Sequence, residues 1–143
     1  MILIDTNLWL YACLQETPQH NAAKAWVDSC FQGSEPIALP WSVALAVLRI
    51  STQSRLMLQP LSPGQALALV ESWLHHPLVQ VVQPGPSHWS VLRLLIEQAG
   101  TAGNLTSDAH LAALAIEHNA TLCSADSDFR RFTGLRFHNP LIP

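Results

Sequence analysis

Short apolar runs alternate along this chain with longer segments in which apolar residues recur at helical spacing. Four runs have the length and composition of buried strands: residues 2–4, 37–39, 79–82 and 121–124. The segments between them predict helices over residues 8–15, 18–31, 41–51, 64–75, 87–99 and 106–119. Strands that alternate with helices favour a parallel sheet covered on both faces. We therefore predict an α/β fold, and a single domain over residues 1–143 because no repeat or linker divides the chain.

Turn and cap residues mark several ends of these elements. Asp5 directly follows the first strand and is an N-cap candidate for the next helix. Pro63 suits the first turn of a helix, and Asn119 suits the C-terminal end of another. The tail after Phe129 is weakly patterned, and the pattern assigns no element to it.

The composition is rich in apolar residues and poor in charge. Hydrophobic residues make up 49% and charged residues 12% of the chain, which excludes a disordered protein. So few charges, together with five tryptophans, leave apolar area for a partner to cover, and we expect a homodimer or a bound second protein. The formal net charge is −3, so a nucleic acid would need bound cations to supply much of the attraction.

Two further features bear on localisation. Cys13, Cys30 and Cys123 have no metal-ligand spacing and are typical of buried thiols in a reducing cytoplasm. The N-terminus has no basic region and reaches Asp5 at once, unlike a signal peptide, and no apolar run reaches the roughly 18 residues of a spanning helix. We expect a cytoplasmic protein that does not associate with a membrane.

Four of the ten acidic residues follow predicted strands or begin a helix at one edge of the predicted sheet. Asp5 follows the first strand, Asp126 and Asp128 follow the fourth, and Asp108 lies in the first turn of the helix before the fourth. Taken singly, each has a structural explanation as a helix cap or turn former. Together they would repel one another unless a cation or bound protons neutralised them. Oxygen ligands of this kind suit Mg²⁺ or Mn²⁺, and the chemistry implied is metal-assisted hydrolysis of a phosphodiester.

Three motifs resemble the PIN-domain toxins of bacterial VapBC toxin–antitoxin modules. They are Ile-Asp-Thr-Asn at residues 4–7, Leu-Thr-Ser-Asp-Ala-His-Leu-Ala-Ala-Leu-Ala at 105–115 and Leu-Cys-Ser-Ala-Asp-Ser-Asp-Phe at 122–129. Their order and the length of the chain fit that family. The resemblance implies a single PIN-like domain with a parallel sheet of about four to five strands flanked by helices on both faces. It also implies a toxin with Mg²⁺-dependent endoribonuclease activity (Mn²⁺ as the alternative ion), an RNA substrate and inhibition by a cognate VapB-like antitoxin.

The resemblance also assigns roles to individual residues. Asp5, Asp108 and Asp126 match the catalytic acids that hold the metal, and Asp128 is a further candidate ligand. The supporting residues that it implies are Thr6, Asn7, which matches a residue that orients the first aspartate, and Arg49.

One departure concerns the helix after the second predicted strand. Ala46 stands where many PIN domains have a glutamate a few residues before the arginine. The missing acid leaves open whether one or two metal ions bind.

Other polar and aromatic residues have competing interpretations. His110 stands two positions after Asp108, so we expect it to face another side of the helix, in a capping or core role. The tryptophans are expected in the core or an interface, although Trp9 is a candidate for the Asp5 crevice. Arg130 and Arg131 are equally consistent with RNA contact and with plain solvation.

Three other protein classes share parts of this pattern. An aspartyl phosphatase needs a second aspartate two residues after the first, where this chain has Asn7. A receiver domain needs a lysine at a late strand end, and the only lysine is Lys24 in an early helix. A catalytically weakened PIN fold that acts as an RNA- or protein-binding module remains the alternative to the nuclease.

Overall fold

The computed structural model describes the whole chain, residues 1–143. It contains six α-helices and five strands, with two short 3₁₀ helices before and after the last long helix. The strands are β1 Ile2–Ile4, β2 Ile37–Pro40, β3 Val79–Val82, β4 Thr121–Cys123 and β5 Phe137–His138. The helices are α1 Thr6–Cys13, α2 His20–Gln32, α3 Trp41–Ser51, α4 Pro63–Leu74, α5 His88–Ala99 and α6 Thr106–Glu117. The predicted α/β fold and all ten predicted elements are confirmed.

The five strands form one parallel sheet in the order β3-β2-β1-β4-β5. At its centre Ile2 pairs with Ile37 on one side and with Thr121 on the other. The edge strand β5 is the element that the sequence pattern did not assign. It has only two residues, and two residues are too few to show an alternation of apolar and polar positions.

The order of the strands places a crevice beside β1. The chain runs from β1 outward through β2 to β3, then crosses back to β4 and β5 on the other side. Right-handed crossovers therefore put α1 to α4 on one face and α5 and α6 on the other, as the contacts α1–α2, α3–α4 and α5–α6 reflect. The two directions diverge between β1 and β4, and in such sheets ligands bind beyond the carboxyl ends of the strands at that point.

The core lies on both sides of the central strands. Leu3, Ile4 and Leu122 are fully buried. Burial of each such side chain stabilises the fold by about 1.5–3 kcal/mol. The ring of Trp9 is also fully buried, so it has the core position predicted for the tryptophans, and the alternative that it lines the Asp5 crevice is wrong. Its centroid lies 4.2 Å from that of Trp73, and its indole N–H donates to the carbonyl of Ile4 at 3.1 Å.

Local chemistry explains where the helices begin and end. Helix α1 begins at Thr6, two residues earlier than predicted, because the Asp5 carboxylate itself accepts the Thr6 N–H at 2.7 Å. Helix α4 begins at Pro63 behind a capping box made by Ser62 and Gln65. Asn119 follows α6 with a φ of 53°, the left-handed geometry expected of a C-terminal cap. No helix is both long enough and apolar enough to span a bilayer.

Candidate active site

Asp5 lies at the carboxyl end of β1 with both carboxylate oxygens hydrogen-bonded. Oδ1 accepts the Thr6 N–H at 2.7 Å, and Oδ2 accepts the Ser124 hydroxyl at 2.7 Å. Only 9% of the residue is exposed. Burial raises its pKa, and the charge of Asp126 adds to this rise, while the two hydrogen bonds oppose it. The position predicted from sequence is therefore confirmed, with a helix-capping role in addition.

Ser124 is a site residue that the sequence interpretation missed. Its buried hydroxyl donates to Asp5 and accepts from the Asn7 side-chain amide at 3.1 Å and from the Asp126 backbone N–H at 3.0 Å. Asn7 also accepts the Ala125 N–H at 3.3 Å, so it orients Asp5 through Ser124 and not by direct contact. The available signal was a small hydroxyl residue directly after β4, at the edge where Asp5 lies.

Asp108, the third residue of α6, is the carboxylate with the largest pKa shift in the chain. Its pKa is raised from 3.8 to about 6, first by burial and then by the charges of Asp5, Asp126 and Asp128, while Arg131 opposes the rise. No hydrogen bond from the protein contributes to its pKa. Asp5 and Asp108 line one hollow, and Asp108, Asp126 and Asp128 line another, so the fold brings these four acids to one edge of the sheet.

Two hollows meet at Asp108. The first, which we call the acidic cleft, has a volume of about 600 Å³ and is lined by Asp5, Thr6, Ala46, Arg49, Asp108 and His110, among others. The second, the loop hollow, has a volume of about 510 Å³ and contains Asp126, Asp128 and Arg131 beside the loop before α6. Asp108 lines both. An ion or phosphate at Asp108 would therefore be open to ligands from either side.

The acids fit a hydrated divalent cation better than a closed protein cage. No three carboxylate, imidazole or thiolate side chains lie close enough to enclose an ion by themselves. Mg²⁺ keeps several of its waters and is held by one or two carboxylates, which suits this spacing. The absence of a protein partner for Asp108 and the mutual repulsion of the acids are what such an ion would relieve.

The remaining predicted site residues differ in whether they line one of the two hollows. Arg49 is exposed and lines the acidic cleft, next to Ala46 one turn earlier on α3. Arg131 lines the loop hollow and lowers the pKa of Asp108. Arg130 does not line either hollow, because its guanidinium lies over the Phe137 ring at 5.2 Å. Asp128 is exposed and donates its backbone N–H to Asp126 at 2.9 Å.

His110 departs from its predicted capping or core role. It is half-buried, lines the acidic cleft, and its Nδ1 lies 2.9 Å from Nε2 of His88. The Nδ1 of His88 lies 2.5 Å from a carboxylate oxygen of Glu117. Burial lowers the pKa of His110 and His88 lowers it further, while Glu117 opposes. The helix geometry alone did not reveal this, because the cleft wraps around two sides of α6.

Comparison with known proteins agrees with this fold. The sequence matches the PIN domain family over residues 2–135. It is similar to Ribonuclease VapC33 of Mycobacterium tuberculosis, at 40% identity over 141 residues with 99% of each chain covered. It is also similar to Ribonuclease VapC37 of the same species, at 37% identity over 140 residues with 98% and 97% covered.

Solved structures show the same fold at lower identity. A VapBC2 complex from Rickettsia felis, bound to a DNA fragment from its promoter, contains a chain with a TM-score of 0.70 at 19% identity over 97% of this chain and 98% of that one. A VapBC-1 complex from nontypeable Haemophilus influenzae gives 0.67 at 17% identity, with 98% of both chains covered. This protein therefore belongs to the PIN-domain family, among relatives named VapC.

Proposed function

We propose that this protein is the toxin of a type II toxin–antitoxin module, a metal-dependent endoribonuclease that hydrolyses RNA phosphodiester bonds. The observation that carries the proposal is Asp108, whose pKa is raised toward 6 by burial and by three neighbouring carboxylates without a protein hydrogen bond. A carboxylate that lines a cleft and has a strongly shifted pKa is a signal of a functional site. The ribonuclease names of relatives at 40% and 37% identity support the same activity.

The residues of the cleft would have separate roles in holding the ion, positioning Asp5 and contacting RNA. Asp5, Asp108 and Asp126 would hold a hydrated Mg²⁺ or Mn²⁺, one or two of them directly and the others through its waters, and Asp128 is a further candidate on the side of the loop hollow. The bound ion would supply an activated water and neutralise charge on the phosphoryl group. Ser124, Asn7 and the Thr6 N–H hold Asp5 in place. Arg49 lines the acidic cleft and Arg131 lines the loop hollow, and both would contact phosphates of the strand.

Metal dependence has a direct test. The purified chain should cleave a structured RNA in Mg²⁺ or Mn²⁺, lose cleavage in EDTA and recover it when excess Mg²⁺ is added. Cleavage that continues unchanged in EDTA would contradict the metal site. RNA binding without cleavage under all of these conditions would favour the catalytically weakened binding module instead. That alternative is motivated by Ala46, which lines the cleft and stands where the resemblance to PIN domains predicts a glutamate; the missing acid also bears on whether a second ion binds.

An antitoxin is the proposed partner, as the VapBC complexes among the structural neighbours suggest. We place its C-terminal segment in an apolar groove of about 380 Å³ that includes Trp9, Phe31, Leu69 and Trp73. A basic side chain of that segment would be attracted to the carboxylates in place of the metal. Cleavage assays with and without the co-expressed neighbouring gene product test this. Undiminished cleavage in a stoichiometric complex would contradict the silencing.

A homodimer is also part of the proposal. Trp41 and Leu45 on α3 are 49% and 59% exposed, and Trp89 and Leu94 on α5 are 71% and 52% exposed. Apolar side chains of this size are enriched in interfaces and costly in water. Light scattering should give twice the mass of one chain, and a monodisperse monomer at high concentration would contradict the dimer. The proposed site of action is the cytoplasm, where RNA and the antitoxin are made.

A further inference from the structure

A third hollow, with a volume of about 250 Å³, adjoins the acidic cleft. It is lined by Trp41, Gln83 and Leu114, among others, and we call it the base hollow. Ser42 and His110 line both spaces, so the two are continuous. We propose that the base hollow binds a nucleobase of the RNA strand, which stacks on the ring of Trp41. This inference rests on the proposed function, because it names the part of the strand that is held next to the phosphate at the carboxylates.

The buried lining of the base hollow comes from the ends of two strands and from one helix. Pro40 ends β2 and Val82 ends β3, and the two residues are partners in the parallel ladder. Both are buried, as is Leu114 of α6. The hollow therefore lies beyond the carboxyl ends of the same sheet, next to the position of Asp5 after β1. That edge is where parallel sheets of this kind bind their ligands.

Trp41 presents an aromatic ring at a well-defined position. It is the first residue of α3, which follows β2 without an intervening loop. About half of its surface stays exposed, although few side chains gain more from burial than tryptophan. Of the four large apolar side chains exposed on α3 and α5, only Trp41 lines one of the hollows described above. We therefore assign Trp41 to the strand, and the interface between copies falls to the other three.

The charges of the three adjoining hollows separate the parts of a nucleotide. Carboxylates and an arginine line both the acidic cleft and the loop hollow, whereas no carboxylate, guanidinium or ammonium group lines the base hollow. A phosphate would have no cation there, but a nucleobase is uncharged and has a flat face that stacks on aromatic rings. One ribose joins a base to its phosphate. A strand with a phosphate at the carboxylates therefore brings a base to the adjoining hollow.

Two polar side chains of the base hollow suit the polar edge of a base. Ser42 and Gln83 are both exposed, and a hydroxyl and an amide can each donate and accept hydrogen bonds. The backbone of Gln83 is held by His118, whose Nε2 lies 2.9 Å from the Gln83 carbonyl oxygen. An aromatic ring for the face of a base and polar groups for its edge are the combination by which proteins bind unpaired bases.

The test compares a short oligouridine strand with a strand of the same length made of abasic ribonucleotides, which keeps every phosphate and ribose but has no bases. The reference protein carries Asp108→Asn, so that the strands stay intact. Fluorescence anisotropy in Mg²⁺ gives the dissociation constants of both strands. The abasic strand should bind at least about tenfold more weakly, which is the contribution of one stacked base.

Trp41→Ala, added to the reference protein, should reduce the ratio of the two dissociation constants by about tenfold, whereas Trp41→Phe keeps an aromatic face and should retain most of it. Trp89→Ala is the matched control, because it removes a more exposed tryptophan that lines none of these hollows, and it should leave the ratio unchanged. The ratio on one preparation does not depend on the fraction of protein that is folded. A ratio that Trp41→Ala leaves unchanged, or that Trp89→Ala lowers equally, would overturn the inference. So would a reference protein that binds both strands equally or binds neither.

Light scattering on the same proteins distinguishes an RNA base from a second copy of the chain as the occupant. Trp41→Ala should leave the mass of the reference protein unchanged. A change from dimer to monomer would place Trp41 in the interface between copies and overturn the inference. Failure of the proposed function has a separate readout. A wild type that cleaves no RNA in Mg²⁺ or Mn²⁺ would contradict the nuclease, while a preference for bases that depends on Trp41 would still support the base hollow.

Discussion

Two polar clusters meet on α6, and they satisfy their charges in opposite ways. Asp108 belongs to a group of like charges that raises its pKa and gives it no hydrogen bond. His110, two residues later, belongs to a line in which Glu117 and His88 each have a partner. Asp108 thus lacks a hydrogen-bonding partner that a bound cation would replace, whereas the side chains of Glu117, His88 and His110 are hydrogen-bonded within the protein. The same kind of substitution should therefore have opposite effects on stability in the two clusters.

The largest effect should be on catalysis. Asp108→Asn should reduce kcat/KM for RNA by at least about 100-fold, because a metal ligand or its equivalent is lost. It should also relieve growth arrest while the circular dichroism spectrum stays that of the wild type. Asp28→Asn is the matched control, an exposed aspartate paired with Lys24 on α2, and should stay within about twofold of the wild type.

Asp5→Asn should also abolish cleavage, but it is the less clean test. Asp5 caps α1 and accepts the Ser124 hydroxyl, so its substitution disturbs structure as well as charge. Full activity in either variant would contradict the metal site. If both variants unfold, the acids serve as structural caps.

The second effect is on the free energy of unfolding that the hydrogen-bonded cluster of Glu117, His88 and His110 provides. Glu117→Ala should lower the free energy of unfolding by about 1–3 kcal/mol, because it leaves the Gly85 N–H and His88 without their acceptor. Urea denaturation at neutral pH measures this. Glu71→Ala, which removes an exposed glutamate from α4, is the control and should change stability by no more than roughly 0.5 kcal/mol. Equal effects of the two substitutions would show that this hydrogen-bonded cluster contributes nothing to folding.

The third effect has the opposite sign. Asp108→Asn should raise the free energy of unfolding of the metal-free protein by about 1 kcal/mol, because it removes a charge that burial and then the neighbouring carboxylates disfavour, an effect that the partial exposure of Asp108 reduces. Denaturation in EDTA isolates this contribution from that of any ion. A loss of stability of similar size would mean that Asp108 is a structural residue.

The smallest effect should appear with pH. The folded-state pKa of Asp108 is raised from 3.8 to about 6, so the folded state takes up its proton more readily than the unfolded state. The destabilisation that Asp108 causes is then full above pH 6 and is relieved as the pH falls from about 6 to about 4. His110 acts against this, because its pKa is lowered from 6.5 and its protonation costs stability.

The comparison with Asp108→Asn removes that opposing contribution, since the variant keeps His110. In EDTA, the wild type should gain stability relative to the variant between pH 7 and pH 5. Thermal unfolding at the two values measures the difference. A gap between the two proteins that stays constant with pH would contradict the perturbed state of Asp108.

The sequence predicted most of what depends on local pattern. The strands and helices follow from periodicity, and the positions of Asp5, Asp108 and Asp126 follow from their places after strands and at a helix start. Contacts between distant segments were not predictable in the same way. Ser124 joins Asp5 across 119 positions, and His88 reaches Glu117 across 29, and neither spacing follows a local rule.

Trp9 shows that closeness in sequence can also suggest a contact that the fold does not make. Its position next to Asp5 in sequence suggested the crevice, but helix α1 turns its ring onto Trp73 in the core. Trp9 lies four residues after Asp5, a spacing that puts two helical residues on one face, but Asp5 is the extended N-cap of α1 and lies outside the helix, so the rule does not apply to this pair. Burial of the largest aromatic ring then decides the orientation.

Binding of Mn²⁺ to the purified chain tests the central claim most directly, because it needs neither the RNA target nor the antitoxin. Electron paramagnetic resonance of free Mn²⁺ would be followed as protein is added at pH 7.5, for the wild type, Asp108→Asn and Asp28→Asn. The account predicts a specific site in the wild type and in Asp28→Asn, weakened at least about tenfold by Asp108→Asn. Binding of equal strength in all three proteins, or no specific binding in the wild type, would contradict it.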